Sequence, residues 1–239
     1  MSTAPKIAMV LAAGLGTRMR PLTDDRPKAL VEVGGRALID HMLDRLVAAG
    51  VETAVVNVHA FADRLEAHLM ARQARGLGPQ IVISDERPQA LETGGGIKQA
   101  LPLLGEGPVW VANIDSVWIE EGVPALEAVA EAWDAGTMDV CLMLAPTAGS
   151  LGFHDSGDVF LDDGMVRFKG SGEMAPLVYV GVHICKPAIT SDGPDGPFSL
   201  TPIWRDLAAR GRVHGVAPDG LWMHVGDPVA RDLAEARLA

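Results

Sequence analysis

The chain has 239 residues, of which 48% are hydrophobic, and its 31 acidic and 20 basic residues give a formal net charge of −11. This length is sufficient for one substantial hydrophobic core, and the negative charge argues against a protein that binds nucleic acid or an anionic membrane surface. Apolar runs fall short of the roughly 18 residues that a membrane-spanning helix needs, so we expect no membrane partner.

The first predicted element is a strand over Ile7–Leu11, a continuous apolar run typical of a buried strand in a parallel sheet. With Ala12 and Ala13, the apolar stretch covers only about seven residues before a glycine turn, which is too short for a signal peptide. The small residues of the turn keep side chains away from the backbone, so that its N–H groups can reach phosphate oxygens. These small residues are Ala12, Ala13, Gly14 and Gly16.

Two cations follow the glycine turn. Arg18 has a planar guanidinium suited to two phosphate oxygens, and Lys28, which follows Pro27, supplies a compact point charge. The turn and the two cations together predict a cradle for a triphosphate. The alternative is a glycine-rich turn whose cations are merely solvated.

Two other glycine-rich phosphate sites do not fit these residues. A Walker loop requires Gly-Lys-Ser/Thr, which is absent, and the dinucleotide fingerprint requires glycine at position 19, where the chain has Met19. Pro21 and Pro27 also prevent the long helix that follows either of those turns.

Helices and strands alternate along the next part of the chain. The predicted elements are a helix over residues 38–47, a strand over 54–58, a helix over 61–73, a strand over 80–83, a helix over 97–104 and a strand over 108–112. This alternation predicts an α/β fold with a mainly parallel sheet, helices on both faces and ligands at the carboxyl ends of the strands.

A second glycine-rich segment, Glu92-Thr93-Gly94-Gly95-Gly96, precedes the predicted helix at 97–104. Three glycines at a helix start permit close approach of the backbone to the edge of a nucleobase, with Glu92 or Thr93 ordering the loop. A flexible helix start is the alternative. The glycines do not distinguish uracil, thymine, guanine or cytosine.

Asp115 follows the strand at 108–112 and is expected at the same sheet edge as the glycine turn. A single carboxylate beside a triphosphate is sufficient to recruit Mg²⁺, which keeps waters and substrate oxygens as further ligands, and Mn²⁺ is a second candidate. An aspartate after a strand often only caps a loop, so the metal site is predicted from Asp115 and the glycine turn together.

The pattern changes after residue 116. The predicted elements are a helix over residues 123–133, strands over 138–144, 158–161, 165–168 and 177–185, a helix over 201–210, a strand over 221–225 and a last helix after residue 227. Asp162-Asp163-Gly164 predicts a hairpin turn, so we expect a small antiparallel subdomain here. Cys141 and Cys185 lie in apolar runs and are predicted to be buried thiols, which fits a reducing cytoplasm.

The ordered motifs resemble those of the sugar-1-phosphate nucleotidyltransferases, also called sugar-nucleotide pyrophosphorylases. The shared patterns are Leu-x-x-Gly-x-Gly-x-Arg-Met-x-Pro-Leu-Thr from Leu11 and Pro-Lys-Ala-Leu from Pro27. The resemblance extends along nearly the whole chain and implies a Rossmann-like, GT-A-like nucleotidyltransferase fold in which the antiparallel subdomain lies on the sugar side. It also implies a single domain over residues 1–239, with a nucleotide-binding half at about 1–115 and a sugar-binding half at about 116–239. We expect a monomer or a small homo-oligomer.

The reaction that the resemblance implies joins a nucleoside triphosphate to a sugar 1-phosphate and releases pyrophosphate. The short, single-domain members that use UTP and N-acetylmuramate 1-phosphate in peptidoglycan recycling are the most similar, and mannose- and heptose-1-phosphate guanylyltransferases resemble the chain too. An alternative of another class is a catalytically weak, regulatory nucleotide-binding homologue. Aromatic residues are only 5% of the chain, which argues against the aromatic cage of a choline-phosphate enzyme.

The resemblance also implies a role for each site residue. The catalytic residues are Arg18, Lys28 and Asp115; the nucleotide-binding residues are Leu11, Ala12, Ala13, Gly14, Gly16, Thr17, Arg18, Lys28, Glu92, Thr93 and Gly94; and the sugar-binding residues are Asn113, Asp158 and Tyr179.

The last predicted strand departs from the family pattern Trp-x-Asp-x-Gly, whose aspartate is a second metal ligand. The chain reads Trp222-Met223-His224-Val225-Gly226-Asp227, and an imidazole is a poor ligand for hard Mg²⁺. Three interpretations stay open: His224 is a ligand or phosphate contact, Asp227 reaches the metal instead, or Asp115 holds it without either. Ile114 also replaces the glycine that the family usually has before its aspartate.

Overall fold

The computed structural model describes residues 4–238. The strands are β1 (Ile7–Leu11), β2 (Glu32–Val33), β3 (Arg36–Ala37), β4 (Thr53–Val58), β5 (Gln80–Asp85), β6 (Val109–Asn113), β7 (Ser116–Glu120), β8 (Val140–Pro146), β9 (Val159–Asp162), β10 (Met165–Phe168), β11 (Leu177–Cys185), β12 (Val213–Val216) and β13 (Gly220–His224). The α-helices are α1 (Leu38–Ala48), α2 (Ala62–Ala74), α3 (Glu92–Leu104), α4 (Ala125–Ala132), α5 (Thr201–Ala209) and α6 (Pro228–Leu238).

Nine strands form one mixed sheet in the order β5-β4-β1-β6-β11-β8-β12-β10-β9. Within it β5, β4, β1 and β6 are parallel, and only β11 and β10 run against the other seven strands. The prediction of a mainly parallel α/β sheet is therefore confirmed. The expected antiparallel strands are also present, but they extend this sheet instead of building a separate one.

Helices cover both faces of the sheet, because successive side chains of the buried strands point to opposite sides. In β1, Ala8 and Val10 pack with the apolar faces of α1 and α2, whereas Met9 packs with Ile97 of α3 and Trp204 of α5. The core is therefore divided between the two faces of the sheet.

Sequence periodicity missed several short elements and one helix start. The predictions lacked β2 and β3, which pair with each other, and β7, which pairs with β13, the strand predicted over 221–225. Helix α3 begins at Glu92, five residues before the predicted start, so the three glycines lie inside it. A Cβ atom on Gly95 would lie 2.5 Å from the carbonyl oxygen of Gly196, so close packing against that loop explains these glycines better than a flexible helix start.

Both cysteines are buried and unpaired, as predicted. Burial raises the pKa of each thiol to about 12, which leaves Cys141 and Cys185 as inert core residues. Among residues 4–238, no helix has the length and apolarity needed to cross a bilayer.

The carboxyl ends of the four parallel strands bring distant parts of the chain together. Leu11 at the end of β1 is in register with Asn113 at the end of β6, and on the other side β1 neighbours β4, which ends at Val58. Loops that leave these strand ends therefore share one edge of the sheet, where α/β folds place their ligands.

Candidate active site

Two adjoining cavities lie at this edge of the sheet and share Leu11, Gly14 and Asn113. The first has a volume of about 350 Å³ and is lined by the glycine turn together with Arg18, Lys28, Asp115 and Gly226. The second has a volume of about 280 Å³, and its further lining residues are Ala13, Asn57, Glu86, Ala90, Glu92 and Thr93. The structure thus gathers most of the predicted nucleotide-binding residues around one continuous depression.

The glycine turn presents free backbone N–H groups, but they start at Gly14, two residues later in the sequence than predicted. The N–H groups of Ala12 and Ala13 both donate to Oδ1 of Asn57, at 2.6 and 3.1 Å. Those of residues 14 to 18 have no acceptor among the described residues 4–238. Consecutive free N–H groups beside a cavity form an anion-binding concavity.

Gly16 holds this turn in shape. Its φ of +62° is the left-handed conformation that favours glycine, and a Cβ atom there would lie 3.1 Å from both Lys28 and Thr23. The hydroxyl of the buried Thr23 donates to the carbonyl of Gly16 at 2.8 Å. The glycine therefore allows the turn to pack directly against the segment that carries Lys28.

Arg18 is exposed at the rim of the first cavity, in a short 3₁₀ turn over Thr17–Met19. The fully buried side chain of Met19 anchors that turn. Within residues 4–238 the Arg18 guanidinium makes no ion pair or hydrogen bond, so its donors stay available to an anion.

Lys28 and Asp115 line the first cavity, and His224 contacts Asp115. The Lys28 Nζ lies 2.8 Å from Oδ2 of Asp115, and Nε2 of His224 lies 3.5 Å from the same oxygen. Burial alone raises the pKa of Asp115, but the hydrogen bond with His224 and the charge of Lys28 outweigh it and hold the pKa of that carboxyl well below its usual range. Asp115 is therefore a carboxylate at any physiological pH.

His224 reaches this position through the β7–β13 pairing, in which it lies opposite Ser116. The Trp222 ring stacks on the imidazole with centroids 5.8 Å apart, and Gly226 approaches so closely that a Cβ atom would lie 2.7 Å from the ring. Asp227 has a different environment, because its Oδ1 accepts the N–H of Ala230 at 2.8 Å at the start of α6. The structure thus brings His224, and not Asp227, to Asp115.

The donors of the first cavity fit a single Mg²⁺ that shares its coordination with a substrate. Among the described residues, no three His, Cys, Asp or Glu side chains are grouped to hold a metal by themselves. Mg²⁺ needs only one or two carboxylates when water and phosphate oxygens complete its shell. Lys28 and His224 both contact Oδ2 of Asp115, which leaves Oδ1 without a partner among the described residues and available to such an ion.

Two buried polar residues of the second cavity were missed by the sequence analysis. Nδ2 of Asn57 donates to Oε1 of Glu86 at 2.7 Å, and the N–H of Leu91 donates to Oε2 of Glu86 at 2.9 Å. The available signal was weak: Asn57 interrupts the apolar strand β4, and Glu86 directly follows β5.

The glycine-rich segment lies beside the second cavity, as expected. However, the backbone N–H group of Gly94, which was expected to contact the nucleobase, already has an acceptor within the protein. Glu92 and Thr93 line the cavity, and Thr93 Oγ1 accepts the N–H of Leu200 at 3.1 Å. The N–H of Gly94 donates to the carbonyl of Phe198 at 2.8 Å. In this structure that group is therefore not available to a base, because α3 is anchored on the Phe198 loop.

Of the three predicted sugar-binding residues, the structure brings Asn113 alone to the two cavities. Oδ2 of Asp158 accepts the N–H of Tyr179 at 3.1 Å. The Tyr179 hydroxyl lies 2.7 Å from Nδ1 of His183, its ring packs edge-on against Trp204, and burial raises the pKa of the hydroxyl well above its usual value. Tyr179 is therefore a half-buried member of an aromatic cluster with His183 and Trp204.

Comparisons with known proteins identify the family of this protein. A family model described as the MobA-like NTP transferase domain matches residues 8–155. An N-acetylmuramate alpha-1-phosphate uridylyltransferase of Caulobacter vibrioides is 79% identical over 100% of this chain and 99% of its own length. A protein of the same name from Neisseria meningitidis is 37% identical over 92% of both chains.

The fold is also shared with solved structures. A UDP-glucose pyrophosphorylase complexed with UDP-glucose superposes with a TM-score of 0.78 at 20% sequence identity, covering 97% of both chains. The matched family model and the sequence identities show that the protein belongs to the MobA-like NTP transferases, as an enzyme of the sugar-1-phosphate nucleotidyltransferase family.

Proposed function

We propose that the protein transfers UMP from UTP to N-acetyl-α-D-muramate 1-phosphate, forming UDP-N-acetylmuramate and pyrophosphate in peptidoglycan recycling. An oxygen of the sugar phosphate attacks the α-phosphorus of UTP and forms a new P–O bond. The bond from the α-phosphorus to the bridging oxygen breaks, and pyrophosphate leaves with that oxygen. The attacking oxygen is already anionic, so no general base is needed.

The observation that carries this proposal is the convergence of Arg18, Lys28 and Asp115 on one cavity beside a turn with free N–H groups. The turn binds the β- and γ-phosphates, and the unpaired guanidinium of Arg18 neutralises the departing pyrophosphate. Lys28 moves from Asp115 to the α-phosphate when the nucleotide enters. Catalysis then consists of positioning and charge neutralisation, because the sugar phosphate itself supplies the attacking oxygen.

Asp115 would hold Mg²⁺, or Mn²⁺ in its place, with His224 beside it, and the bound ion would neutralise triphosphate oxygens and orient them. His224 keeps the Asp115 carboxylate in place through its contact with Oδ2 and leaves Oδ1 for that ion. Asp227 caps α6 in this proposal and is not a ligand.

The second cavity is the proposed uracil site, since it continues from the phosphate turn through Leu11 and Gly14 and is lined by Glu92 and Thr93. The choice of uracil and of the muramate sugar is supported by the names of the two similar proteins. Residues 1–115 would bind the nucleotide and residues 116–239 the sugar, with Asn113 at their boundary. The two free thiols fit a reducing cytoplasm.

The proposal is tested by pyrophosphate release with UTP, GTP, dTTP and CTP, each paired with the 1-phosphates of N-acetylmuramate, N-acetylglucosamine, glucose and mannose at fixed Mg²⁺. We expect a clear preference for UTP with N-acetylmuramate 1-phosphate. A preference for GTP with mannose 1-phosphate would keep the reaction and overturn the substrate. Absence of turnover with every pair, with Mn²⁺ included, would overturn the catalytic proposal and favour a regulatory nucleotide-binding protein.

A further inference from the structure

A buried chain of hydrogen bonds joins the phosphate turn to the start of α3. Oδ1 of Asn57 accepts the N–H groups of Ala12 and Ala13, Nδ2 of Asn57 donates to Glu86, and Glu86 accepts the N–H of Leu91. Two backbone donors on one amide oxygen leave only one orientation of the Asn57 amide compatible with the contacts. The orientation of the Asn57 amide is therefore fixed, with its oxygen toward the phosphate turn and its NH₂ group toward Glu86.

Glu86 is an unusual member of this series of hydrogen bonds, because it is 1% exposed and has no cationic partner among the described residues. Buried carboxylates without a counter-charge are costly and are retained where hydrogen bonds hold both oxygens. Here Oε1 accepts from Asn57 and Oε2 accepts from Leu91. A neutral side chain of the same length cannot accept on both sides.

Gly96 shows that α3 is packed around this pair. A Cβ atom on Gly96 would lie 2.8 Å from Oε1 of Glu86 and 3.2 Å from Nδ2 of Asn57. The third glycine of the segment therefore makes room for the two polar side chains. This close approach ties the position of α3, whose first residues line the second cavity, to the Asn57–Glu86 pair.

We infer that Asn57 and Glu86 are positioning residues that hold the phosphate turn and the start of α3 in one fixed arrangement. By engaging Ala12 and Ala13, Asn57 fixes the point from which the free N–H groups of residues 14 to 18 extend into the first cavity. Glu86 fixes Asn57 and, through Leu91, the residues that line the second cavity. The inference rests on the proposed function for the identity of the nucleotide that the two cavities share.

The test is a reciprocal exchange of the two side chains. Glu86→Gln puts an NH₂ group where Asn57 or Leu91 donates, and Asn57→Asp puts a second carboxylate oxygen against Glu86. In Asn57→Asp/Glu86→Gln, one oxygen of the aspartate accepts from Ala12 and Ala13, its other oxygen accepts from the glutamine NH₂, and the glutamine oxygen accepts from Leu91. The double variant thus restores every hydrogen bond and keeps the net charge.

We expect each single variant to lose about 10- to 100-fold in kcat/KM for UTP, as the loss of one or two buried hydrogen bonds implies, and the double variant to return to within about threefold of the native enzyme. The loss should appear mainly in KM for UTP, with KM for the sugar phosphate little changed. Ser84→Ala is the matched control, because Ser84 is a buried polar residue in register with Asn57 on the neighbouring strand, and it should change neither parameter.

Amide hydrogen exchange followed by NMR gives a readout that does not need turnover. The N–H groups of Ala12, Ala13 and Leu91 should exchange faster in each single variant and return to native rates in the double variant, while β8 and β11 stay protected throughout. Such exchange in a protein without uridylyl transfer would support the inference and overturn the proposed function. Native exchange and native KM in Glu86→Gln would overturn the inference and leave the function intact.

The Asn57→Asp/Glu86→Gln double variant also tests the inference if a single variant does not fold. A folded, active double variant then supports the inference, because the second substitution has rescued the first. A double variant that stays unfolded, or folds and keeps a raised KM for UTP, overturns it.

Discussion

The ammonium of Lys28 and the carboxylate of Asp115 form an ion pair at 2.8 Å, with side chains 11% and 21% exposed. Lys28 begins a short turn after Pro27, and Asp115 follows β6, so 87 residues separate them along the chain. In the proposed mechanism, a phosphate replaces Asp115 as the partner of Lys28, and a divalent cation replaces Lys28 as the partner of Asp115. The ion pair therefore neutralises the two charges that the proposed mechanism uses to bind a phosphate and a divalent cation.

Lys28→Met should destabilise the protein by about 1–3 kcal/mol, because it leaves a mostly buried carboxylate without its cation. Lys28→Met/Asp115→Asn should regain most of that loss, since both charges are gone, whereas turnover should stay reduced by about 10²- to 10³-fold in both variants. Urea unfolding and pyrophosphate release check the two expectations. Strictly additive stability losses, or native turnover in Lys28→Met, would contradict them.

Arg18→Ala should lower kcat/KM for the nucleotide by about 10²- to 10³-fold without changing the free energy of unfolding, because the guanidinium has no partner within the described part of the protein. Arg20→Ala is the matched control. Arg20 is exposed on the same segment but lies 3.6 Å from Asp24 and does not line the cavity. Equal kinetic losses in the two variants would mean that the segment attracts nucleotide only through its net charge.

The shared location of three charged residues at the first cavity was predictable, because each lies just after a strand or turn that the sequence marks clearly. Arg18 follows the glycine turn, Lys28 follows a proline, and Asp115 follows an apolar strand. Parallel strands align their carboxyl ends, so residues at those positions converge even when the sequence separates them. The same reasoning applies to Asn57 and Glu86, but one polar residue at a strand end carries no sign of the partner it will meet.

The glycines of α3 and the orientation of Tyr179 could not be predicted, because both depend on contacts between segments that are distant in the sequence. Gly94 and Gly95 are poor helix formers, and they lie in α3 because the loop at residues 193–198 approaches too closely for side chains. Tyr179 was expected at the sugar, but a register shift between Tyr179 and His183 interrupts the alternation of β11. Such a bulge re-aims the side chains beside it, which strand periodicity cannot anticipate.

Asp227→Asn should leave both stability and turnover close to native values, because asparagine caps a helix as well as aspartate does. Asp227→Ala should cost about 1 kcal/mol of stability through loss of the hydrogen bond to Ala230. The measurements are urea unfolding and the Mg²⁺ dependence of pyrophosphate release. A tenfold or greater loss of turnover in Asp227→Asn, with a raised Mg²⁺ requirement, would make Asp227 a metal ligand after all.

Acid should remove a defined part of the stability through Asp139, which lines neither of the two cavities. Hydrogen bonds from Arg212, aided by Lys186 and opposed by burial, lower the pKa of Asp139 from 3.8 to about 2. The carboxylate therefore stabilises the fold fully above pH about 5, by about 2 kcal/mol at most, and the contribution disappears as pH falls through 2.

Urea unfolding should show Asp139→Asn to be less stable than the native protein at pH 6, with the difference shrinking as the pH approaches 2. Asp163→Asn, in a hairpin turn where asparagine tolerates the positive φ of +47°, should show no such convergence. A stability difference independent of pH would assign the effect of Asp139→Asn to packing.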